Sequence, residues 1–130
     1  MATLNEQEAA LLRGRNFANL ATIRPDGTPQ VTPVWVDWDG EHVLMNTAVG
    51  RAKERYMRRD PRAGVEVFDG ENPYAYVTIT GTVELDEEGA EEHIRDLQEK
   101  YHGNRDFAIG DDTRVIVRLR PERVHGSFRR

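Results

Sequence analysis

Three turn signatures cut the chain between residues 16 and 85 into short runs: Pro25-Asp-Gly27, Asp39-Gly40 and Asp69-Gly-Glu-Asn-Pro73. Proline presets φ for the first turn position and glycine supplies the positive φ that closes it. Asp-Gly between alternating apolar runs is the strongest short-range hairpin signal. The segments between them read as strands over 16–24, 30–38, 41–46, 63–68 and 74–85, the last interrupted by Gly81. Further strands are expected over 113–119 and 123–128. Thr3-Leu-Asn-Glu6 reads as a capping box opening a helix to about Arg13, which Gly14 ends. A second helix is expected from Asp86 to about Tyr101, with Ile94 and Leu97 inward and Glu87, Glu88, Glu91 and Glu92 solvated. The predicted fold is α+β and mainly β: residues 1–130 as one domain, six or seven mostly antiparallel strands closing into a small barrel with two or three peripheral helices.

The stretch from Asn46 to Pro61 interrupts this pattern with a glycine turn and a short basic helix stopped by Asp60-Pro61. A helix start leaves N–H groups unpaired and carries partial positive charge, so it can seat an anion. Arg51 and Lys53 fall in the first turn, where carboxylates are normally favoured. Residues 51–62 hold six Arg/Lys against two acids, whereas 82–99 hold eight acids against Arg95. Val49, Ala52 and Tyr56 have the spacing of a core stripe, which leaves Arg51, Lys53 and Arg55 off the buried face. Two readings stand: a phosphate seat, or a solvated basic face. Pro33 cannot donate to a ladder, so it marks an edge, a bulge or an interruption where a ligand could approach the backbone. Trp35 and Tyr74 are either core aromatics or covers for a flat ring.

The net charge of -5 opposes general nucleic-acid binding. Without cysteine there are no disulfides, Cys-based zinc sites or thiol chemistry. His42, His93, His102 and His125 lack metal-ligand spacing, so no metal site is expected. No apolar run is long enough for a membrane span and no signal peptide is visible, so a cytoplasmic protein with no membrane partner is expected. The motifs of P-loops, dinucleotide folds, nucleophile elbows and zincins are missing, and no catalytic residue is named.

The run from Phe17 to Asp37 resembles the opening hairpin of the flavin/deazaflavin oxidoreductases, within the pyridoxamine 5'-phosphate oxidase-like, FMN-binding split β-barrel superfamily. The resemblance continues through Asn46-Thr47, Gly50-Arg-Ala-Lys53, Arg58-Arg-Asp-Pro-Arg62, Asn72-Pro-Tyr-Ala-Tyr76 and Gly81 to the segment 114–124. It implies a split-barrel homodimer with cofactor sites at the subunit interface, and most closely the branch using the deazaflavin coenzyme F420, with FMN as the alternative. Carried over, the pattern puts the cofactor phosphate on Arg51 and Lys53 beside Asn46 and Thr47. The backbone of Thr32, Pro33, Val34 and Trp35 runs along the ring, with Tyr74 of the partner subunit near it. The implied activity is hydride transfer between F420 and a small, conjugated or planar acceptor. A non-catalytic F420- or flavin-binding protein stays open. Two departures stand out: Tyr56, where relatives often carry asparagine, and a short C-terminal segment ending at Arg130. The latter lacks the substrate-binding tail of a true pyridoxamine phosphate oxidase, so that reaction is not expected.

Overall fold

The computed structural model describes residues 2–129. Met1 and Arg130, the ends of the expected domain and of its C-terminal segment, lie outside the described residues. The elements are α1 (Glu6–Arg13), β1 (Ala18–Ile23), β2 (Pro29–Val34), β3 (Asp37–Trp38), β4 (Val43–Ala48), α2 (Ala52–Arg59), β5 (Arg62–Asp69), β6 (Asn72–Asp86), α3 (Ala90–His102) and β7 (Arg114–Gly126). The seven strands form one antiparallel sheet in the order β2-β1-β5-β6-β7-β4-β3.

That order dictates the shape. Strands β2 and β3 are the two edges of the sheet, yet only Trp35 and Val36 separate them in sequence. Three peptide steps span at most about 11 Å, so the sheet must curl until its edges nearly meet. The result is a split barrel with three helices. Its interior is filled by Leu20, Val36, Met45, Val65, Val67, Val77, Ile79 and Leu119, and plugged by Leu11 and Leu12 of α1. Met57 is the apolar anchor of α2, and Ile94 and Leu97 bury the inner face of α3 as expected.

The split is stapled by α3. The Val36 N–H donates to the Tyr101 hydroxyl at 3.1 Å, and that hydroxyl donates to the Asn16 carbonyl at 2.5 Å. Lys100 Nζ donates to the carbonyls of Val36 (2.5 Å) and Leu12 (2.6 Å). Two edge groups that no strand pairs, and one orphan carbonyl at the end of α1, are thereby satisfied. The surrounding burial holds the Tyr101 phenol at about 12, well above its ordinary value, so it stays a neutral donor.

Sequence and structure differ at identifiable points. The α1 cap is Asn5, not Thr3: Asn5 Oδ1 accepts from Glu8 N–H and Glu8 Oε1 from Asn5 N–H, both at 2.9 Å. The box moved because Glu8 is also fully buried against Arg129, whose Nε donates to it at 2.8 Å. The expected strand over 30–38 is two strands on opposite edges, broken at Trp35-Val36. The expected strands over 113–119 and 123–128 are one, β7, running past a register shift opposite Gly81. Val49 is 48 % exposed and Ala52 and Tyr56 are only half-buried, so the α2 core stripe is replaced by Met57 beside a buried Glu54. No described helix is long and apolar enough to cross a membrane.

At Gly81 the chain has no room for a side chain, because a Cβ there lies 1.9 Å from the Arg120 carbonyl oxygen. Its partner Pro121 has no N–H to offer, so the ladder shifts register at this point. Gly81→Ala is therefore expected to destabilise the fold by about 3 kcal/mol or more, read as a drop in the urea midpoint.

Candidate functional site

A cleft of about 260 Å³ opens beside the split. Pro33 and Val34 at the end of β2, Trp35 at the break, Asn46 of β4, and Arg51 and Lys53 at the start of α2 all line it. So do Ile94 and Leu97 of α3, and Phe17, Phe107 and Arg114. Six of the nine residues singled out from sequence thus converge on one cavity. The other three do not line it. Thr32 and Thr47 each hold a buried hydroxyl oxygen without a partner, and alternation turns Thr47 to the face of β4 opposite Asn46. Tyr74 is 83 % exposed near the tip of the β5–β6 hairpin.

The aromatic wall is ordered by stacking. The Trp35 ring lies on Tyr101 with centroids 5.3 Å apart and planes 10° apart. Phe107 meets Trp35 edge-on at 6.2 Å, and Phe17 tilts against Tyr101 at 5.6 Å. Because Tyr101 is pinned at its hydroxyl, it holds Trp35 in one orientation, and one end of the cleft is flat and apolar. Trp35 is therefore neither a core residue nor a mobile surface ring.

A cationic group adjoins this wall at Phe107. Arg114 is 4 % exposed, its guanidinium 5.0 Å over the Phe107 ring, and its Nε donates to Asn46 Oδ1 at 2.9 Å. Its Nη1 is buried with no hydrogen-bond partner among the described residues. Burial, reinforced by the charge of Arg51, pushes the Arg114 guanidinium below its ordinary value, with Asp112 pulling the other way. Burial likewise lowers Lys53, and Arg51 and Arg114 add to it. Three like charges share a partly desolvated space with one carboxylate, Asp112, which lies 3.5 Å from Arg51 and 3.6 Å from Arg114, too far to hydrogen-bond the buried Nη1. That arrangement is costly unless an anion joins it.

The helix-terminus part of the seat is smaller than its sequence suggests. Gly50 N–H donates to Glu54 Oε1 at 2.8 Å, and Arg51 N–H to the Ala48 carbonyl at 3.2 Å. Burial raises Glu54, but the Gly50 N–H and the Arg58 guanidinium outweigh it and hold the carboxylate below its usual range. The protein's own carboxylate thus takes up part of the positive helix end, and side chains carry most of what remains. Asn46 is also largely spent inside the protein. Its Nδ2 serves the Ala90 carbonyl and His93 Nδ1, both at 3.0 Å, while its Oδ1 holds Arg114. It positions Arg114 and ties α3 to β4.

Arg114, Phe17 and Phe107 were not singled out from sequence. The Phe107 segment reads as a polar connection, and Arg114 as the start of a strand. Only the pairing of β4 with β7, which sets Arg114 opposite Ala48, brings that guanidinium to the α2 turn. No local pattern encodes a pairing between segments so distant in sequence. Among the described residues, no group of His, Cys, Asp or Glu is arranged to hold a metal ion.

A profile described as pyridoxamine 5'-phosphate oxidase matches residues 4–128, and the chain belongs to that family. Among solved structures it is similar to one described as an F420 reductase, with 32% identity over 94% of this chain and 98% of that one, and a TM-score of 0.84. It is also similar to a conserved hypothetical protein of Mycobacterium tuberculosis, at 27% identity over 93% of this chain and 82% of that one, with a TM-score of 0.76. HupZ of Group A Streptococcus shares the fold at 19% identity, over 93% of this chain and 91% of that one, with a TM-score of 0.70.

His93 offers a check on the packing behind the cleft. Its Nδ1 accepts from Asn46, so the proton sits on Nε2, which is buried without a partner. Burial, helped slightly by Arg118 and opposed by Asp96 and Asp37, holds the imidazole below its ordinary 6.5. The folded protein then favours neutral His93, and the unfolded chain binds the extra proton. Stability is expected to be fully present above pH 6.5 and lost as pH falls through the folded value. Denaturant unfolding across that window should show a shallower loss for His93→Gln than for the parent.

Proposed function

We propose that the chain is an oxidoreductase that uses coenzyme F420 to deliver hydride to a small, conjugated or planar organic acceptor. One observation carries this reading: three cations, one with an orphaned buried donor, crowd a cleft that also holds a stacked aromatic wall. The donor set suits a phosphate, and the wall suits a planar ring. The 32% identity to a protein described as an F420 reductase supports the choice of cofactor. Arg51, Lys53 and Arg114 would hold the phosphate, and Pro33, Val34 and Trp35 would lie along the ring. Reduced deazaflavin supplies a hydride from carbon. The protein's part is to bind, orient and exclude water, and this needs no nucleophile. The family match leaves an FMN-dependent oxidoreductase as the second reading, since its cofactor calls for the same seat and wall.

Fluorescence titration with F420 and FMN tests both readings. F420 is expected to bind, and Arg51→Ala and Lys53→Ala are each expected to weaken it by about 1–3 kcal/mol, the loss of one charge-assisted contact. Unchanged affinity in both variants sinks the phosphate seat, and tighter binding of FMN transfers the reading to the flavin. Turnover against a panel of planar acceptors, with pyridoxamine 5'-phosphate included, separates an enzyme from a cofactor-binding protein.

The exposure of Tyr74 and the open side of the cleft are consistent with a homodimer in which the partner subunit completes each site. Sedimentation is expected to give a dimer at working concentration. A monomer that still binds cofactor with full affinity would overturn the shared-site arrangement.

A further inference from the structure

The cation cluster contains one anion of its own. Asp112 Oδ2 lies 3.5 Å from Arg51 Nη2 and 3.6 Å from Arg114 Nη1, the atom without a hydrogen-bond partner. Both distances exceed a good charge-assisted hydrogen bond, so the carboxylate tempers the two guanidiniums without satisfying either. Its position comes from the backbone. Asp112 N–H donates to the Ile109 carbonyl at 3.2 Å, closing a turn, and Val49 N–H donates to the Thr113 carbonyl at 2.9 Å. The second bond docks that turn against Val49-Gly50, the residues that lead into Arg51. Asp112 is thus carried to the seat by main-chain bonds on either side of it. Its side chain is 46 % exposed and reaches the cluster from outside, since it does not itself line the cleft. The other carboxylate of this corner, Glu54, is buried and committed to Gly50 and Arg58.

We propose that Asp112 sets the charge of the phosphate that the cleft accepts, selecting a singly charged phosphodiester over a doubly charged phosphate monoester. The proposal rests on the phosphate-seat reading above. A fixed charge acts on a ligand in proportion to the ligand's own charge. A diester carries one negative charge, whereas a monoester carries nearly two at neutral pH. A retained Asp112 therefore penalises the monoester about twice as much, in logarithm of affinity, as the diester. A carboxylate that merely occupied the seat and swung away would penalise both alike. The two roles are separable by experiment.

The test compares the parent protein with Asp112→Asn, using three ligands that share one ring: riboflavin, its 5'-methyl phosphodiester and FMN. Asp112→Asn is expected to leave riboflavin unchanged, tighten the methyl ester about threefold and tighten FMN roughly tenfold at low salt, with both gains shrinking as salt is raised. Asp112→Ser, which keeps a polar group on the turn, should give the same order. Equal gains for the two phosphates, a gain for riboflavin, or no gain at all overturns the role given to Asp112. Riboflavin binding the parent as tightly as the methyl phosphodiester denies the phosphate seat itself. A phosphate preference that Asp112→Asn leaves untouched overturns only this inference, as does binding of F420 with none of the three flavins, whereas binding of neither F420 nor any of the three overturns both.

Discussion

Everything functional in this molecule depends on how the barrel is closed. Two residues, Trp35 and Val36, carry the chain from one edge of a seven-stranded sheet to the other. Such a crossing leaves backbone groups without strand partners in a place that water only partly reaches. Lys100 and Tyr101, adjacent on the last turn of α3, meet that need from outside the sheet. The same tyrosine stacks on Trp35. The bond that seals the split therefore also fixes the flat wall of the cleft, and fold and site share a single constraint.

The cationic part of the cleft, which meets the aromatic wall at Phe107, is governed by electrostatics rather than packing. Arg51, Lys53 and Arg114 come from an α2 cap, an α2 first turn and the start of β7. Desolvation and the neighbouring cations push Lys53 and Arg114 below their ordinary values. Phe107 under Arg114, Asn46 at its Nε and Asp112 nearby each relieve part of that strain. None supplies the strong, close anion that three clustered cations favour. Conversely, Glu54 has already taken the Gly50 N–H, so the helix end contributes less to this field than a generic anion-binding turn.

Much of this architecture is readable locally. Pro25-Asp-Gly27 and Asp39-Gly40 mark real turns because proline and glycine act on their own dihedrals. The basic helix ends at Asp60-Pro61 for the same reason. Six cleft residues could be named in advance because the family pattern links Pro33, Trp35, Asn46, Arg51 and their neighbours in order along the chain. The misreadings have a common origin in longer-range contacts. Thr3 and Asn5 are both competent caps, and the choice between them was made by the Glu8–Arg129 pair across the molecule. The α2 face departs from its apolar spacing because Glu54 is buried to reach back to Gly50 and out to Arg58.

By itself, then, the sequence determined the turns, the mainly β class and the placement of the acidic and basic runs, since each follows from side chains acting on their own backbone or near neighbours. Tertiary structure alone decided that 30–38 splits across two sheet edges and that Arg114, Phe107 and Asp112 join Arg51. It also decided that Asn46 serves the protein more than a ligand. Those outcomes depend on β4 pairing with β7 and on α3 reaching the split. Contacts between residues far apart in the chain form only when the whole sheet closes, and they leave no period or spacing in the sequence.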